Sequence, residues 1–315
     1  MTAPDTIRIG SRASPLALYQ AELIAAELAR VSKGALIGEI VTFSTKGDQL
    51  TTERLINSGG KGLFTREIDR AVDEGDVHIG VHSLKDVPSL LPEGQTLLAY
   101  PARADSRDAF LTTNGITRLQ DLPKGAVLGT ASLRRESQAL SLRPDLKIVP
   151  FRGRVETRIE KLKRGDADAT FLAMAGLIRL NLDHLAHPIQ TSDMLPAAGQ
   201  GIIAVAARTD RVTEALATAL SHIDDAATRA MATAERAFLA ALDGSCRTAM
   251  AAQLQNIGGQ WHLRGEVLSP DGQSKWMSQG EALLSAETED LVRLGRSIAD
   301  DIRAQAGGDL PVFTD

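Results

Sequence analysis

Three kinds of side chain in this sequence stand where they could do chemistry: one thiol, one carboxylate in a turn, and arginines gathered where strands give way to helices. Cys246 is the sole cysteine. It lies in Leu242-Asp243-Gly244-Ser245-Cys246-Arg247, where Gly244 reads as the stop of a preceding helix and puts the thiol on a loop. A loop thiol can be a nucleophile or an attachment point; an inert buried cysteine is the alternative. Asp86 lies in Val81-His82-Ser83-Leu84-Lys85-Asp86-Val87-Pro88, after an apolar run that reads as a buried strand. Open α/β sheets hold their ligands at such carboxyl ends. Beside Lys85, the carboxylate could stabilise positive charge and move protons, or it could belong to an ordinary turn before proline.

The arginines cluster at two predicted strand-to-helix junctions, Gly129-Thr130-Ala131-Ser132-Leu133-Arg134-Arg135 and Arg152-Gly153-Arg154-Val155-Glu156-Thr157-Arg158. A guanidinium is a planar, two-pronged partner for carboxylate or phosphate. Arg12-Ala13-Ser14-Pro15 sets a cation, a hydroxyl and free backbone N–H groups at a helix start, an arrangement suited to an anion; a plain serine cap explains it equally. Ser58-Gly59-Gly60-Lys61-Gly62 could cradle an anionic group, form a lid, or merely connect.

The whole-chain arithmetic narrows these options. The 315 residues, 43% hydrophobic and 24% charged, suit two or three globular domains. Net charge is −5, yet residues 101–200 carry +4 and the remainder −9. Arginine outnumbers lysine 26 to 9, which genome composition alone could produce. A basic middle in an acidic chain points to a small anionic ligand. Aromatic residues at 3% are too few for base stacking, so nucleic acid is not an expected partner. No apolar run is long enough to span a membrane, and the polar N-terminus lacks a signal-peptide centre, so a cytoplasmic protein is expected. One cysteine excludes an intrachain disulfide, the histidines lack metal-site spacing, and no metal is expected. Gly199-Gln200-Gly201-Ile202-Ile203-Ala204 matches a dinucleotide fingerprint by letter, but it precedes a strand and opens no helix.

Hydrophobic periodicity supplies the elements that would carry these groups. Strands are predicted over 7–10, 39–44 and 77–82, with helices over 15–30 and 64–74. A second strand–helix series begins near Pro101: strands over 127–130, 147–151, 169–173 and 202–207 alternate with helices over 132–142, 155–164 and from 176. After Thr213 the pattern changes to a long alanine-rich helical region ending at 242. Strand-like alternation follows over 261–268 and 274–282, then a helix over 286–306. This order reads as α/β followed by a smaller α+β domain.

In sequence order, RIGSRASPLAL, STKGD, GGKGLFTREID, HIGVHSLKDVP, RDAFL, GTASLRR, RGRVETR, LAMAGLIRL, LPAAGQG, AERAFLAALDG and SC resemble the porphobilinogen deaminase family over about 300 residues. The resemblance implies two α/β domains like the halves of type II periplasmic binding proteins, plus a C-terminal α+β domain with the cysteine. The expected boundaries are 1–101 with 198–214, 102–197, and 215–315. The implied reaction is stepwise head-to-tail condensation of four porphobilinogen molecules, with loss of ammonia and release of hydroxymethylbilane, in porphyrin and heme biosynthesis. By resemblance, Cys246 would hold a dipyrromethane cofactor through a thioether, and Asp86 would be the catalytic aspartate.

The resemblance further assigns cofactor and substrate carboxylates to Arg134, Arg135, Arg152 and Arg158, with Arg12, Ser14, Lys85, Ser132 and Arg179 contributing and Lys61 on an active-site loop. A monomer with no nucleic-acid or membrane partner is expected. Arg154 stands where the family commonly has asparagine, and Ser245 and Ala249 depart from its usual cysteine loop. A small-anion-binding protein of the same two-domain plan, and an amino- or phosphoryl-transfer enzyme built on the glycine-rich loop, are the alternatives.

Overall fold

Ser14 begins the first helix as the spacing predicts: its Oγ accepts the Ala17 N–H at 3.3 Å, with Pro15 at the first helical position. A computed structural model describes residues 4–45, 47, 62–242 and 249–310, so Lys61 and Cys246 lie outside the described residues. The chain forms two compact units. Described residues of the first are 4–45, 47, 62–104 and 201–229; those of the second are 105–200, 230–242 and 249–310.

In chain order the elements are β1 (Asp5–Arg12), α1 (Pro15–Val31), β2 (Leu36–Phe43), α2 (Arg66–Glu74), β3 (Ile79–Ser83), β4 (Gln95–Ala99), β5 (Asp108–Thr112), β6 (Val127–Gly129), α3 (Leu133–Leu142), β7 (Lys147–Val149), α4 (Val155–Lys163), β8 (Ala169–Ala173), α5 (Met174–Arg179) and β9 (His187–Pro188). They continue with β10 (Ile203–Arg208), α6 (Glu214–Ile223), α7 (Ala226–Ala241), β11 (Met250–Ile257), β12 (Gln260–Leu268), β13 (Lys275–Leu283) and α8 (Thr288–Ala306).

Two five-stranded sheets follow one plan. In the first unit the order is β2-β1-β3-β10-β4, with β1 parallel to both β2 and β3 and β10 antiparallel to β3 and β4. In the second unit the order is β7-β6-β8-β5-β9, with β6 parallel to β7 and β8 and β5 antiparallel to β8 and β9. Each sheet thus has an antiparallel strand in fourth place. For the first sheet that strand is β10, which returns after the whole second sheet has been built. Strands flanked by helices on both faces should be apolar throughout, and β10 is buried over Ile203–Ala207. Its Val205 joins Ile9, Ile79, Ile24 and Leu28 in one core.

The second unit also holds the antiparallel meander β11-β12-β13. Phe238 of α7 and Leu291 and Ile298 of α8 share its core with Leu254, Leu263 and Val267. The two helices approach closely at Gly295, where a Cβ would lie 2.5 Å from the Ala234 carbonyl oxygen.

Three differences from the sequence reading have physical causes. The helical region up to 242 is two helices, because Asp224 ends α6 and the Asp225 carboxylate accepts the Thr228 N–H at 2.7 Å to start α7. Helix α6 buries Leu216, Leu220 and Ile223 in the first unit's core, whereas the reading begins a third domain at 215. Strands β4, β5 and β11 escaped the reading because they are short or carry polar residues that blur the alternation.

The helix contact supplies a test. Gly295→Val should lower stability by about 1–3 kcal/mol through overpacking, measured as a fall in thermal midpoint, while Gly307→Ala, with open space around it, should produce a smaller fall.

Candidate active site

In the first unit, parallel β1 and β3 end side by side, bringing Arg12 and the Ser83-Leu84-Lys85-Asp86 turn to one sheet edge. The turn is a single 3-10 turn over Leu84–Asp86. It is tied down by buried Leu84, whose N–H reaches the Ile202 carbonyl at 2.9 Å, and by a hydrogen bond from the Gln20 amide to Ser83 Oγ at 2.9 Å. The Asp86 carboxylate stands 4.0 Å from Arg12 Nη1, and their side chains remain 30% and 23% exposed. The Arg12 guanidinium also lies over the Phe64 ring, 4.7 Å from its centre. Ser14 caps α1 on the same edge.

Behind this edge sits a second pair. His82 Nε2 is 3.6 Å from Asp69 Oδ1 and has no hydrogen-bond partner among the described residues. Burial pushes His82 down to about 4, and the Arg12 charge adds to the shift. Burial pushes Asp69 up to about 6, with Asp73 and Glu67 reinforcing it. His82 is therefore neutral near pH 7, while Asp69 is ionised at a cost.

In the second unit, Ser132 caps α3 by accepting the Arg135 N–H at 3.5 Å. The first turn then carries Arg134 and Arg135 inward, where they are 5% and 6% exposed. Both meet Asp108, the first residue of β5, which is wholly buried. Arg134 Nη1 donates to Asp108 Oδ2 at 2.6 Å, and Arg135 donates to Oδ1 from Nη2 at 2.7 Å and Nε at 3.0 Å. Gln200 adds its amide N–H to Oδ1 at 3.0 Å. Burial alone would raise the Asp108 pKa; the two guanidinium charges outweigh it and hold the carboxyl well below the usual range. Two cations thus face one anion, and Arg134 Nε, buried, has no hydrogen-bond partner among the described residues. A buried donor without an acceptor costs about 1–3 kcal/mol.

The remaining predicted arginines stand nearby in sequence, each on its own support. Arg152 is 6% exposed, and its carbonyl accepts from Lys161 Nζ at 3.1 Å. Arg158 Nε donates to the Gly153 carbonyl at 2.8 Å. Arg154 is exposed at the start of α4, and half-buried Arg179 ends α5. The structure therefore joins Arg12 to Asp86, and Arg134 to Arg135. Sequence reasoning missed Asp108 and Gln200 as their supports. The available signal was an acid opening the apolar run Ala109-Phe110-Leu111. Among the described residues, no three His, Cys, Asp or Glu side chains converge to hold a metal ion, and no helix is long and apolar enough to cross a membrane.

The Asp69 shift has a signed consequence. Its native pKa lies above the unfolded value, so the burial cost is present above about pH 6 and disappears as the pH falls towards 4. Asp69→Asn should exceed the parent in stability at pH 7.5 by up to about 3 kcal/mol, and thermal midpoints should converge between pH 6 and 4.

Comparison with known proteins now bears on the whole chain. Residues 7–215 match the family model described as porphobilinogen deaminase, dipyromethane cofactor binding domain, and residues 230–304 match that of the porphobilinogen deaminase C-terminal domain. Porphobilinogen deaminase of Nitrobacter hamburgensis is 43% identical over 301 residues, covering 95% of this chain and 93% of the relative. That of Paracoccus denitrificans is 44% identical over 312 residues, covering 97% and 96%. The chloroplastic porphobilinogen deaminase of Oryza sativa subsp. japonica is 44% identical, covering 96% and 84%. Among solved structures, DctP7, a Bordetella pertussis extracytoplasmic solute receptor binding pyroglutamic acid, aligns over 96% of each chain with a TM-score of 0.45 and 16% identity. The full-length matches to both domain models and to these relatives decide the matter: the chain belongs to the porphobilinogen deaminase family.

Proposed function

We propose that this chain is a transferase of porphyrin and heme biosynthesis that condenses four porphobilinogen molecules head to tail. Each addition releases ammonia, and water finally releases hydroxymethylbilane. The observation that carries this reading is the buried pair Arg134 and Arg135 facing the single carboxylate of Asp108, with Arg134 Nε left unpartnered. Porphobilinogen bears an acetate and a propionate, so a chain of pyrrole units accumulates negative charge that fixed guanidiniums can neutralise. A charge-assisted hydrogen bond contributes about 1.5–3 kcal/mol.

The same donor set fits dipyrromethane, the cofactor of the family's matched domain. Its carboxylates suit the unpartnered Nε and the surplus cation. When bound, the group supplies the pyrrole carbon on which new units are joined. Cys246 would hold it through a thioether. Arg134, Arg135, Arg152 and Arg158 would bind carboxylates, assisted by Ser132, Arg179 and Lys61. Arg12, Ser14 and Lys85 would orient the incoming substrate. Asp86 would hold its carboxylate against positive charge developing on the substrate pyrrole as ammonia leaves, and would take the proton that must be lost. Its loose 4.0 Å spacing from Arg12 supports that role, since neither group is committed to the other. The protein would work as a cytoplasmic monomer of three domains, without nucleic-acid or membrane partners. The small-anion-binding alternative is not favoured by these relatives.

Intact mass under denaturing conditions tests the attachment. The purified parent should exceed its sequence mass by two pyrrole units, whereas Cys246→Ser should show the sequence mass of the variant and lose turnover. Normal turnover in that variant would overturn the assignment. Separately, Asp86→Asn should retain its thermal midpoint while kcat falls about 100-fold or more; an undiminished kcat would remove Asp86 from the chemistry.

A further inference from the structure

Helix α3 buries an uncommonly polar face, Arg134, Arg135, Ser137 and Gln138, with Ala139 its single apolar member. Part of that face meets the C-terminal sheet. Ser137 Oγ donates to the Pro270 carbonyl at 3.1 Å. In the β12–β13 turn, Gly272 sits directly on the helix backbone at φ +71°, where a Cβ would lie 2.4 Å from the Ser137 carbonyl oxygen. Beside this contact, Gln138 Nε2 donates to Glu266 Oε1 at 2.7 Å and to the Leu195 carbonyl at 3.0 Å. Glu266 is 2% exposed, and its other oxygen is 2.6 Å from Lys275 Nζ.

These partners fix the orientation of the Gln138 amide. Both acceptors face its nitrogen, so its oxygen must face a donor, and Arg134 Nη1 supplies one at 2.9 Å. Arg134 Nη1 also reaches Asp108 Oδ2 at 2.6 Å and the Leu195 carbonyl at 2.9 Å. The result is an unbroken sequence of polar contacts from Lys275 through Glu266, Gln138 and Arg134 to Asp108. Linked hydrogen bonds of this kind polarise and stiffen one another. The same strand, β12, also sets the start of β11: Leu268 N–H donates to the Ala249 carbonyl at 3.0 Å, and Glu266 stands opposite Ala251. Ala249 is the first described residue after the segment holding Cys246.

We propose that Gln138 and Glu266 are positioning residues that register the Arg134 guanidinium against the C-terminal sheet. One strand would then govern the aim of the cation that receives the carboxylates of the bound pyrrole chain. This rests on the reading of Arg134 as a carboxylate ligand and of Cys246 as the attachment point. Glu266 has a defined task here: it presents a fixed acceptor that keeps the Gln138 oxygen turned towards Arg134.

The test uses the full chain carrying Gln138→Leu, Glu266→Leu, both together, or Glu266→Gln. It reads KM and kcat with porphobilinogen, the fraction of chains carrying the adduct by intact mass, and the thermal midpoint. Each leucine variant should raise KM about fivefold with kcat within about twofold, and should lower the adduct-bearing fraction. The double variant should be no worse than the worse single, because both break one relay. Glu266→Gln should restore KM to within about twofold of the parent, since its carbonyl can still accept from Gln138. A folded leucine variant with parental KM and adduct fraction, or single effects that multiply in the double, would overturn the proposal. Should the leucine variants fail to fold, Gln138→Asn, one methylene too short to reach both partners, carries the same KM and adduct criterion. Arg134→Leu separates the two layers. If it impairs binding while the Gln138 and Glu266 variants do not, the relay alone is wrong; if it leaves KM and adduct fraction untouched, the carboxylate-binding reading itself fails.

Discussion

An aspartate with no exposed surface keeps its charge only if cations reach it, and Asp108 is reached by two. The low dielectric that makes an isolated buried carboxylate costly also strengthens its attraction to Arg134 and Arg135. The cluster draws Asp108 from the start of β5, the arginines from the first turn of α3, and Gln200 from the segment leading into β10. These segments are far apart in sequence, so their meeting at one carboxylate depends on the placement of all three. One carboxylate cannot neutralise two guanidiniums. The surplus cation is therefore built into the second unit, together with an Nε–H that has no acceptor among the described residues.

The first unit handles charge differently. Arg12 and Asp86 stand 4.0 Å apart with about a quarter of each side chain exposed. A pair this loose and wet contributes little to stability, on the order of 0–1 kcal/mol. Asp86 therefore gives up little in turning away from Arg12. The contrast is physical: contacts of 2.6 and 2.7 Å at Asp108 hold guanidiniums in place, while the Arg12–Asp86 pair is loose and partly exposed. His82 fits this division as well, because burial keeps it neutral behind Arg12 and it adds no competing cation.

How much of this was legible in the sequence depended on whether the signal was local. The serine cap with Pro15, the apolar runs of β3 and β8, and the arginines at helix starts could be read directly, because each rests on residues within one turn or strand. The shared plan of the two sheets was legible only through family resemblance, since strand order is a property of distant pairings. Asp108 was missed as a site residue because an acid before three apolar residues also reads as a strand-end residue; nothing local shows that two arginines 26 and 27 positions later converge on it. The break between α6 and α7 was hidden by alanine, whose helix propensity continues through the region, although Asp224 and Asp225 cap opposite helix ends there.

The polar face of α3 follows from the task it performs. Apolar residues in the places of Arg134, Gln138 and Glu266 would often pack with equal or greater stability, because burying paired charges gains little net free energy. Apolar contacts, however, are nearly indifferent to rotation about the helix axis, whereas hydrogen bonds weaken steeply with angle. A helix that must present a guanidinium at one orientation therefore benefits from acceptors that recognise that orientation. Asp108, the Leu195 carbonyl and the Gln138 oxygen provide three such acceptors around Nη1. Their crowding at one nitrogen fits the absence of a partner for Nε, on the same rigid plane, among the described residues.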